Sequence, residues 1–374
     1  MESTPLLPAA PLGDDRPLDG LRVIELATVL AGPLVGTFLA ELGAEVIKVE
    51  PPGRGDVTRQ WRSSGEPKEG PSAYFAAANG PKASRQINLK TTEGQQELHG
   101  LLAKADILLQ NAMPASLEGL GLDPDTLAEA HPRLIHVHLQ GFFHDAERGG
   151  YDMVVQAETG FMSMNGAPDG LPMRMPVALM DVLAAHQMRS GLLLALYERE
   201  KTGRGAYVET WLDASGFSAL ANRGTEWLVA GQTPQALGAC HPQIAPYGES
   251  VLCRCGERVV FAVGSDAQFA ALANLLGHPE WAADPRFSSN PERVLHRQAL
   301  LSLLEAAASA TTAERLLEEG RKQGIPLGHL RSVPDALATP TGQAMTHDFS
   351  WDGHPVRHVR QVAFRIQRNG KRTT

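Results

Sequence analysis

The sequence predicts an α/β protein with a doubly wound, Rossmann-like large domain and a smaller α+β domain. Three observations carry this expectation. Strand-like and helix-like runs alternate over the first 140 residues, Gly43 stands where the first helix should end, and beyond residue 230 the composition shifts to Pro, Gly and short apolar runs.

The first unit is Arg22-Val-Ile-Glu-Leu26, a strand-like run, then Gly32-Pro33 as a turn and an apolar-periodic helix over Leu34–Leu42. Glu45–Glu50 alternates charged and apolar residues as a strand should, completing a βαβ crossover. Ser84–Leu89 and Ala105–Asn111 continue as strands, with Thr92–Lys104 and Pro124–His131 as helices and Leu134–Leu139 as the next strand. Met153–Met164 and Asp181–Glu200 read as helical, and Ala206–Leu212 as a strand leading into helix through Val229. Ser250–Cys255 and Arg258–Val263, joined by Gly256-Glu257, read as a β-hairpin. Helices are expected at Asp266–Leu276, Glu292–Ala308 and Thr311–Gln323, and a strand at Leu330–Val333 after the breaker Gly324-Ile-Pro-Leu-Gly328. Val356–Ile366 alternates and is expected to return to the first domain. The resulting division is a tail over 1–17, a large domain over 18–230 joined again by 335–374, and a small domain over 231–334, with Gln367–Thr374 a frayed polar end.

With 374 residues, 43% hydrophobic and 20% charged, the chain buries a sizeable core. A formal charge of −8 argues against a polyanion-binding face, so nucleic acid is not an expected partner. Apolar runs such as Gly191–Tyr197 fall short of the roughly 20 residues that cross a bilayer. The N-terminal stretch has no basic n-region and no sustained apolar run, so the cytoplasm is the expected compartment and no membrane the expected partner. Three cysteines, Cys240, Cys253 and Cys255, make no even disulfide framework. In a strand Cys253 and Cys255 would share a face, which raises a metal site with Cys240 and His241; buried small apolar residues are the plainer reading, and no metal is expected. His136 and His138 likewise share a strand face, as a packed or exposed pair rather than ligands.

Dinucleotide, P-loop, zinc-protease and nucleophile-elbow motifs are all missing. What stands out is Gly149-Gly-Tyr-Asp-Met-Val-Val-Gln-Ala-Glu-Thr-Gly160, then Asn165-Gly-Ala-Pro-Asp-Gly170, Pro176-Val-Ala-Leu-Met-Asp181 and Glu200-Lys-Thr-Gly-Arg-Gly205. Upstream lie Ala31-Gly-Pro33, Leu42–Glu50, Gly55-Asp56 and Arg59; downstream lie His241-Pro242, Ala245-Pro-Tyr247, Asp284-Pro-Arg-Phe287 and Gly324–Gly328. In this order the chain resembles the family III CoA transferases of CaiB/BaiF type, formyl-CoA transferase among them, from about Pro17 to about Ile366.

The resemblance implies two interlocked copies of a two-lobed chain with CoA on the large domain, acyl-CoA and a carboxylic acid as substrates, and no tightly bound cofactor. It implies that Asp181 is the nucleophile, forming an acyl anhydride and then an aspartyl-CoA thioester that hands CoA to the incoming acid. It also carries over a set of CoA contacts: Val29, Leu30 and Ala31 in the first loop, Pro51, then Ile87, Asn88, Leu89 and Lys90, then Asn111, Ala112 and Met113, and finally Gly149, Gly150, Tyr151 and Asp152. Lys90 and Arg59 are phosphate candidates, and Arg174 or Arg223 candidates for a second carboxylate, though solvated surface roles are the plainer reading.

The residues around Asp181 agree with the resemblance. An apolar stretch meets a helix start there, whose free N–H groups favour a carboxylate by about 0.3–1 kcal/mol and should keep it ionised. Position alone would suit a simple capping aspartate. Tyr151 stands where related racemases carry histidine, and a phenol with a pKa near 10 is a poor base at neutral pH. An acyl-CoA racemase or isomerase is therefore disfavoured. Gln110-Asn-Ala-Met-Pro-Ala115 departs from the family's Glu-Asn-Phe-Arg-Pro-Gly, and Leu30 replaces a frequent glutamine. Those departures motivate a second alternative, a catalytically impaired CoA-binding partner subunit of a heteromeric transferase.

Overall fold

The computed structural model describes residues 16–351 and 353–366; the expected N-terminal tail (but for its last two residues) and frayed C-terminal end lie outside them. One compact unit comprises the chain through Phe161, Arg174–Thr233 and the segment from Leu337 onward; the other comprises Met162–Met173 and Pro234–Ala336. Residues 162–173, expected in the large domain, thus belong to the second unit.

The first unit is a six-stranded, fully parallel sheet: β1 Arg22–Glu25, β2 Glu45–Glu50, β3 Ala83–Gln86, β4 Ile107–Gln110, β5 Ile135–Gln140 and β6 Tyr207–Trp211, in the order β3-β2-β1-β4-β5-β6. Strand alternation divides the core. Val23, Ile107, Leu109 and Val137 join α1 (Ala31–Glu41) on one face, whereas Ile24 and Leu108 meet Leu98 and Leu102 on the other. The α-helices that follow along this unit as far as Ala230 are α2 Ala73–Ala78, α3 Thr92–Leu102, α4 Pro114–Glu118, α5 Pro124–Ala130, α6 Asp152–Glu158, α7 Leu179–Thr202, α8 Leu212–Ala219 and α9 Ala221–Ala230. The sheet order reverses between β1 and β4, where the loops that follow these strands open a crevice.

Four details differ from expectation here. Gly32 and Pro33 lie inside α1, because the first helical turn lacks intrahelical N–H partners and tolerates proline. The strand expected to reach Leu89 ends at Gln86; Asn88 then turns the chain, its side chain accepting the Lys90 N–H. The helix expected to reach Met164 stops at Glu158. At the C-terminal end, β10 (Thr346–Trp351) and β11 (His354–Val359) form an antiparallel pair, and the chain past Val359 is not strand. Instead the Glu41 carboxylate takes the Gln361 and Val362 N–H groups, seating Val362 in the main core.

In the second unit β7 (Tyr247–Leu252) and β8 (Arg258–Ala262) pair antiparallel, and β9 (Leu327–His329) adds to β8. The strand expected at Leu330–Val333 is therefore misplaced by three residues. Gly328, read as part of a breaker, lies in the strand paired with Val260, whose Cγ1 a Cβ there would meet at a tight 3.0 Å. The hairpin turn is longer than expected: Cys253 and Cys255 lie past β7, Cys253 buried and Cys255 exposed, so they do not share a face. Five helices complete the order, α10 Asp266–Leu275, α11 Asn290–Leu295, α12 Arg297–Ala308, α13 Ala313–Lys322 and α14 Val333–Ala338, whose last two residues enter the first unit ahead of α15 Pro340–Ala344. The helix expected over Glu292–Ala308 is broken at His296, whose backbone leaves the helical region. No helix among the described residues is long and apolar enough to cross a membrane.

Candidate active site

The crevice at the sheet's reversal contains a cavity of about 220 Å³. Thr28 and Val29 line it from the β1 loop, Asn111–Pro114 from the β4 loop, Leu139–Gly141 from the end of β5, and Gly149–Asp152 from the segment leading into α6. Asp181 closes it from α7.

Asp181 is the third residue of α7, not its cap; Ala178 holds the cap position and has no side chain to offer. The carboxylate accepts the N–H of Ala31, first residue of α1, so it faces one helix N-terminus while standing in another. The helix-start argument expects an ionised acid. Burial overrides it: together with the like charge of Asp152, it pushes the Asp181 carboxyl up to about 7, and the Ala31 bond recovers only part of this. A shift of some three units corresponds to about 4 kcal/mol, several times what a helix terminus supplies.

Asp152 is placed by two bonds. One carboxylate oxygen accepts the Met180 N–H at 2.8 Å, capping α7 in place of Ala178, and the other accepts Gln156 Nε2 at 2.8 Å. Gln156 Oε1 in turn takes the Met175 N–H at 2.8 Å. The approach of this segment to β5 demands glycine on both sides: a Cβ on Gly150 would lie 2.5 Å from Gly141 Cα, and one on Gly141 2.4 Å from Gly150 N. Tyr151 is 67% exposed at the rim. Tyr74 of α2 is held neutral, its phenol raised to about 12 by burial and then by the charges of Asp181, Asp152 and Asp56.

The β4 loop is tied down internally. Asn111 Oδ1 accepts the Thr28 N–H at 3.0 Å and its Nδ2 donates to Thr28 O at 3.1 Å. Gln110 Oε1 accepts the Ala112 N–H, while His138 Nε2 bonds the Ala112 carbonyl at 2.9 Å and Nδ1 the Tyr207 hydroxyl. The His136–His138 pair is thus a packed pair beneath the loop. Among the described residues, the one group with metal-ligand proximity is Glu41, His347 and His358, and none of these lines the cavity.

Of the residues singled out in the sequence, Val29, Asn111, Ala112, Met113, Gly149, Gly150, Tyr151, Asp152 and Asp181 converge on this cavity, and Ala31 reaches it through its N–H. Leu30, Pro51, Ile87, Asn88, Leu89 and Lys90 do not line it; they follow β1, β2 and β3 at the same edge of the sheet. Arg59 is not a free phosphate ligand. It donates twice to Glu50, at 2.8 and 2.6 Å, and against the effect of burial these bonds, with one from Ser84, hold Glu50 at about 2. Arg223 pairs with Glu226, and Arg174 donates to the Met175 and Pro176 carbonyls. Sequence reasoning missed Thr28, Pro114, Gln140, Gly141 and Tyr74. Gly141, directly after a strand that ends in the crevice, carried a legible signal; Tyr74 carried none.

The family model described as CoA-transferase family III matches residues 18–374. The succinate–glutarate CoA-transferase of Agrobacterium fabrum is 36% identical over 335 residues, covering 88% of this chain and 83% of that protein. The acetyl-CoA:oxalate CoA-transferase of Acetobacter aceti is 37% identical over 341 residues, covering 90% and 86%. Among solved structures, a CAIB/BAIF family protein from Brucella suis is similar with a TM-score of 0.81 at 37% identity, covering 94% of this chain and 92% of that one.

Proposed function

Because the chain belongs to CoA-transferase family III and is a CoA-transferase, we propose that it moves CoA between dicarboxylic acids by covalent catalysis on Asp181. An Asp181 oxygen attacks the thioester carbonyl, the C–S bond breaks and CoA thiolate leaves, giving a mixed anhydride. The thiolate then attacks the aspartyl carbonyl, releasing the donor acid and leaving an aspartyl-CoA thioester. The acceptor carboxylate attacks that thioester and the released thiolate attacks the new anhydride at its acyl carbon, so acyl-CoA forms and Asp181 returns as carboxylate.

The observation that carries this reading is the Asp181 carboxyl, half-buried in a cavity at the sheet's switch point and facing the Ala31 N–H. Burial makes a poorly solvated, more reactive carboxylate once ionised, and the N–H at a helix start suits a developing oxyanion. Dicarboxylic acids are supported by the succinate–glutarate and oxalate enzymes to which the chain is similar. The β4 loop, though altered in sequence, has its polar groups satisfied, which supports an active enzyme over an inert partner subunit. Among the described residues no histidine lines the cavity to serve as a racemase base. Exposed Leu193, Leu194 and Tyr197 on α7 and Trp227, Leu228 and Val229 on α9 support an interlocked homodimer, in which a second copy covers such faces. A cytoplasmic enzyme without a tightly bound cofactor completes the reading.

Hydroxylamine added during turnover with succinyl-CoA and glutarate tests the mechanism. Mass spectrometry should find a hydroxamate on Asp181; its absence, in a preparation that does turn over, would overturn the covalent route. Replacing glutarate with acetate tests the acid class, and equal rates with both would remove the dicarboxylate assignment.

A further inference from the structure

Under the β1 loop lies a buried set of four charges. Glu25, Lys48, Lys82 and Asp56 are each 8% exposed or less. Lys48 Nζ donates to Glu25 Oε1 at 3.1 Å and to the Ala27 carbonyl at 2.8 Å, and pairs with Asp56 Oδ2 at 3.0 Å. The same Asp56 oxygen accepts the Val29 N–H at 3.3 Å. Lys82 Nζ bonds both Glu25 oxygens and the Pro33 carbonyl at 2.7 Å. The helix above makes room for the carboxylate with Gly36, where a Cβ would lie 1.8 Å from Glu25 Oε2.

Two cations and two carboxylates balance, but balanced buried charges contribute little net stability over apolar residues of the same volume. What distinguishes this set is what the charges touch. Ala27 O is held by Lys48, Thr28 N and O by Asn111, and Val29 N by Asp56, so side chains from elsewhere hold successive backbone groups of one loop. Within that loop Val29 sits at φ 71°, a left-handed conformation that costs a β-branched residue roughly 1–2 kcal/mol. Two residues later the chain presents the Ala31 N–H to Asp181.

We propose that Lys48 and Asp56 are positioning residues for the reaction: with Asn111 they hold the loop over Ala27–Ala31 in its left-handed form at Val29, which aims the Ala31 N–H at the Asp181 carboxylate. The proposal rests on Asp181 being the nucleophile only for its consequence in kcat. The placement of the N–H is measured separately.

Asp56→Asn keeps the size of the side chain while removing the charge that Lys48 pairs. In the full-length enzyme kcat should fall about tenfold, the factor to which the lost hold on a strained residue corresponds, with KM for acyl-CoA changed less than twofold. The Asp181 carboxyl, followed by 13C NMR titration and assigned with Asp181→Asn, should titrate at higher pH than in the natural protein, because it loses a donor to its charged form. Val29→Gly in the Asp56→Asn background should restore most of the lost kcat, since glycine adopts φ near 70° without penalty. Asn111→Ala, acting from the other side of the loop, should show the same titration shift and the same rescue, and it carries the comparison if Asp56→Asn does not fold. A variant that lowers the melting temperature but leaves the Asp181 titration where it was, or that Val29→Gly does not rescue, would overturn the proposal. A missing hydroxamate with an intact titration shift would overturn the nucleophile and not the placement.

Discussion

Asp152 caps the helix that carries Asp181: its carboxylate takes the Met180 N–H at 2.8 Å, which fixes a second negative charge beside the Asp181 carboxyl. The cavity therefore sets the proton affinity of Asp181 as well as its position. On the proposed mechanism Asp181 must lose its proton to attack, so activity should fall as pH drops through its pKa near 7. Burial is the larger cause of the high value and Asp152 the second. Removing the like charge in Asp152→Asn lowers the pKa, and the acid limb of the kcat/KM profile should move to lower pH. An unmoved limb would show that burial acts alone.

The same raised pKa makes Asp181 a cost to stability. A group whose folded pKa lies above its unfolded value of 3.8 contributes fully below pH 3.8 and loses that contribution as pH rises through about 7. Asp181→Asn should therefore leave stability unchanged near pH 4 and raise it by about 2–4 kcal/mol at pH 8. Thermal unfolding at the two pH values checks this. A gain of the same size at both would point to packing instead of charge.

Gly141 and Gly150 meet backbone to backbone at the cavity floor, where a methyl at residue 150 would stand 2.5 Å from Gly141 Cα. Backbone cannot rotate away as a side chain can. Gly150→Ala should displace Tyr151 and Asp152 by about 1 Å and reduce kcat/KM roughly a hundredfold, with the rest of the fold intact by circular dichroism. Activity within a factor of three of the natural protein would mean that the segment relaxes freely.

Much of the first unit was legible because a parallel sheet writes itself into sequence as apolar runs alternating with 3.6-residue periodicity. The strands of the sheet were found from that alternation, although β3, Ala-Ser-Arg-Gln and exposed throughout, is no apolar run, and the rule that ligands bind beyond the strand ends pointed to the loops after β1, β2, β3 and β4; Val29, Asn111 and Gly149–Asp152 came from the resemblance. Asp181 needed the resemblance, since one aspartate at a helix start looks like any cap. What sequence could not supply were effects of three-dimensional proximity. The helix start at Asp181 argued for an ionised acid, and only its burial beside Asp152 reversed that. Arg59 looked free until Glu50 was seen to hold it, and Gly328 looked like a breaker until its pairing with Val260 put it in a strand.

Buried histidines give the fold an acid limit. Burial first, and then the charges of His347, Arg360 and Lys82, lowers His358 to about 4; burial and then His138 lowers His136 to about 3. Both values lie below the ordinary 6.5, so each ring stays neutral in the folded protein while the unfolded chain takes up a proton. Stability is then fully present above about pH 6.5 and is lost as pH falls towards 4, at about 1.4 kcal/mol per pH unit for each histidine. Asp181 works in the opposite sense over this window, because the folded protein holds a proton there that the unfolded chain releases. Other carboxylates add terms common to all variants, so the differences between variants carry the test. His358→Gln should flatten the fall in stability between pH 6.5 and 4 by about 1.4 kcal/mol per unit, and Asp181→Asn should steepen it by a similar amount. Denaturant midpoints measured across that range for the natural protein and the two variants check both signs; parallel curves would mean that neither group titrates differently on folding.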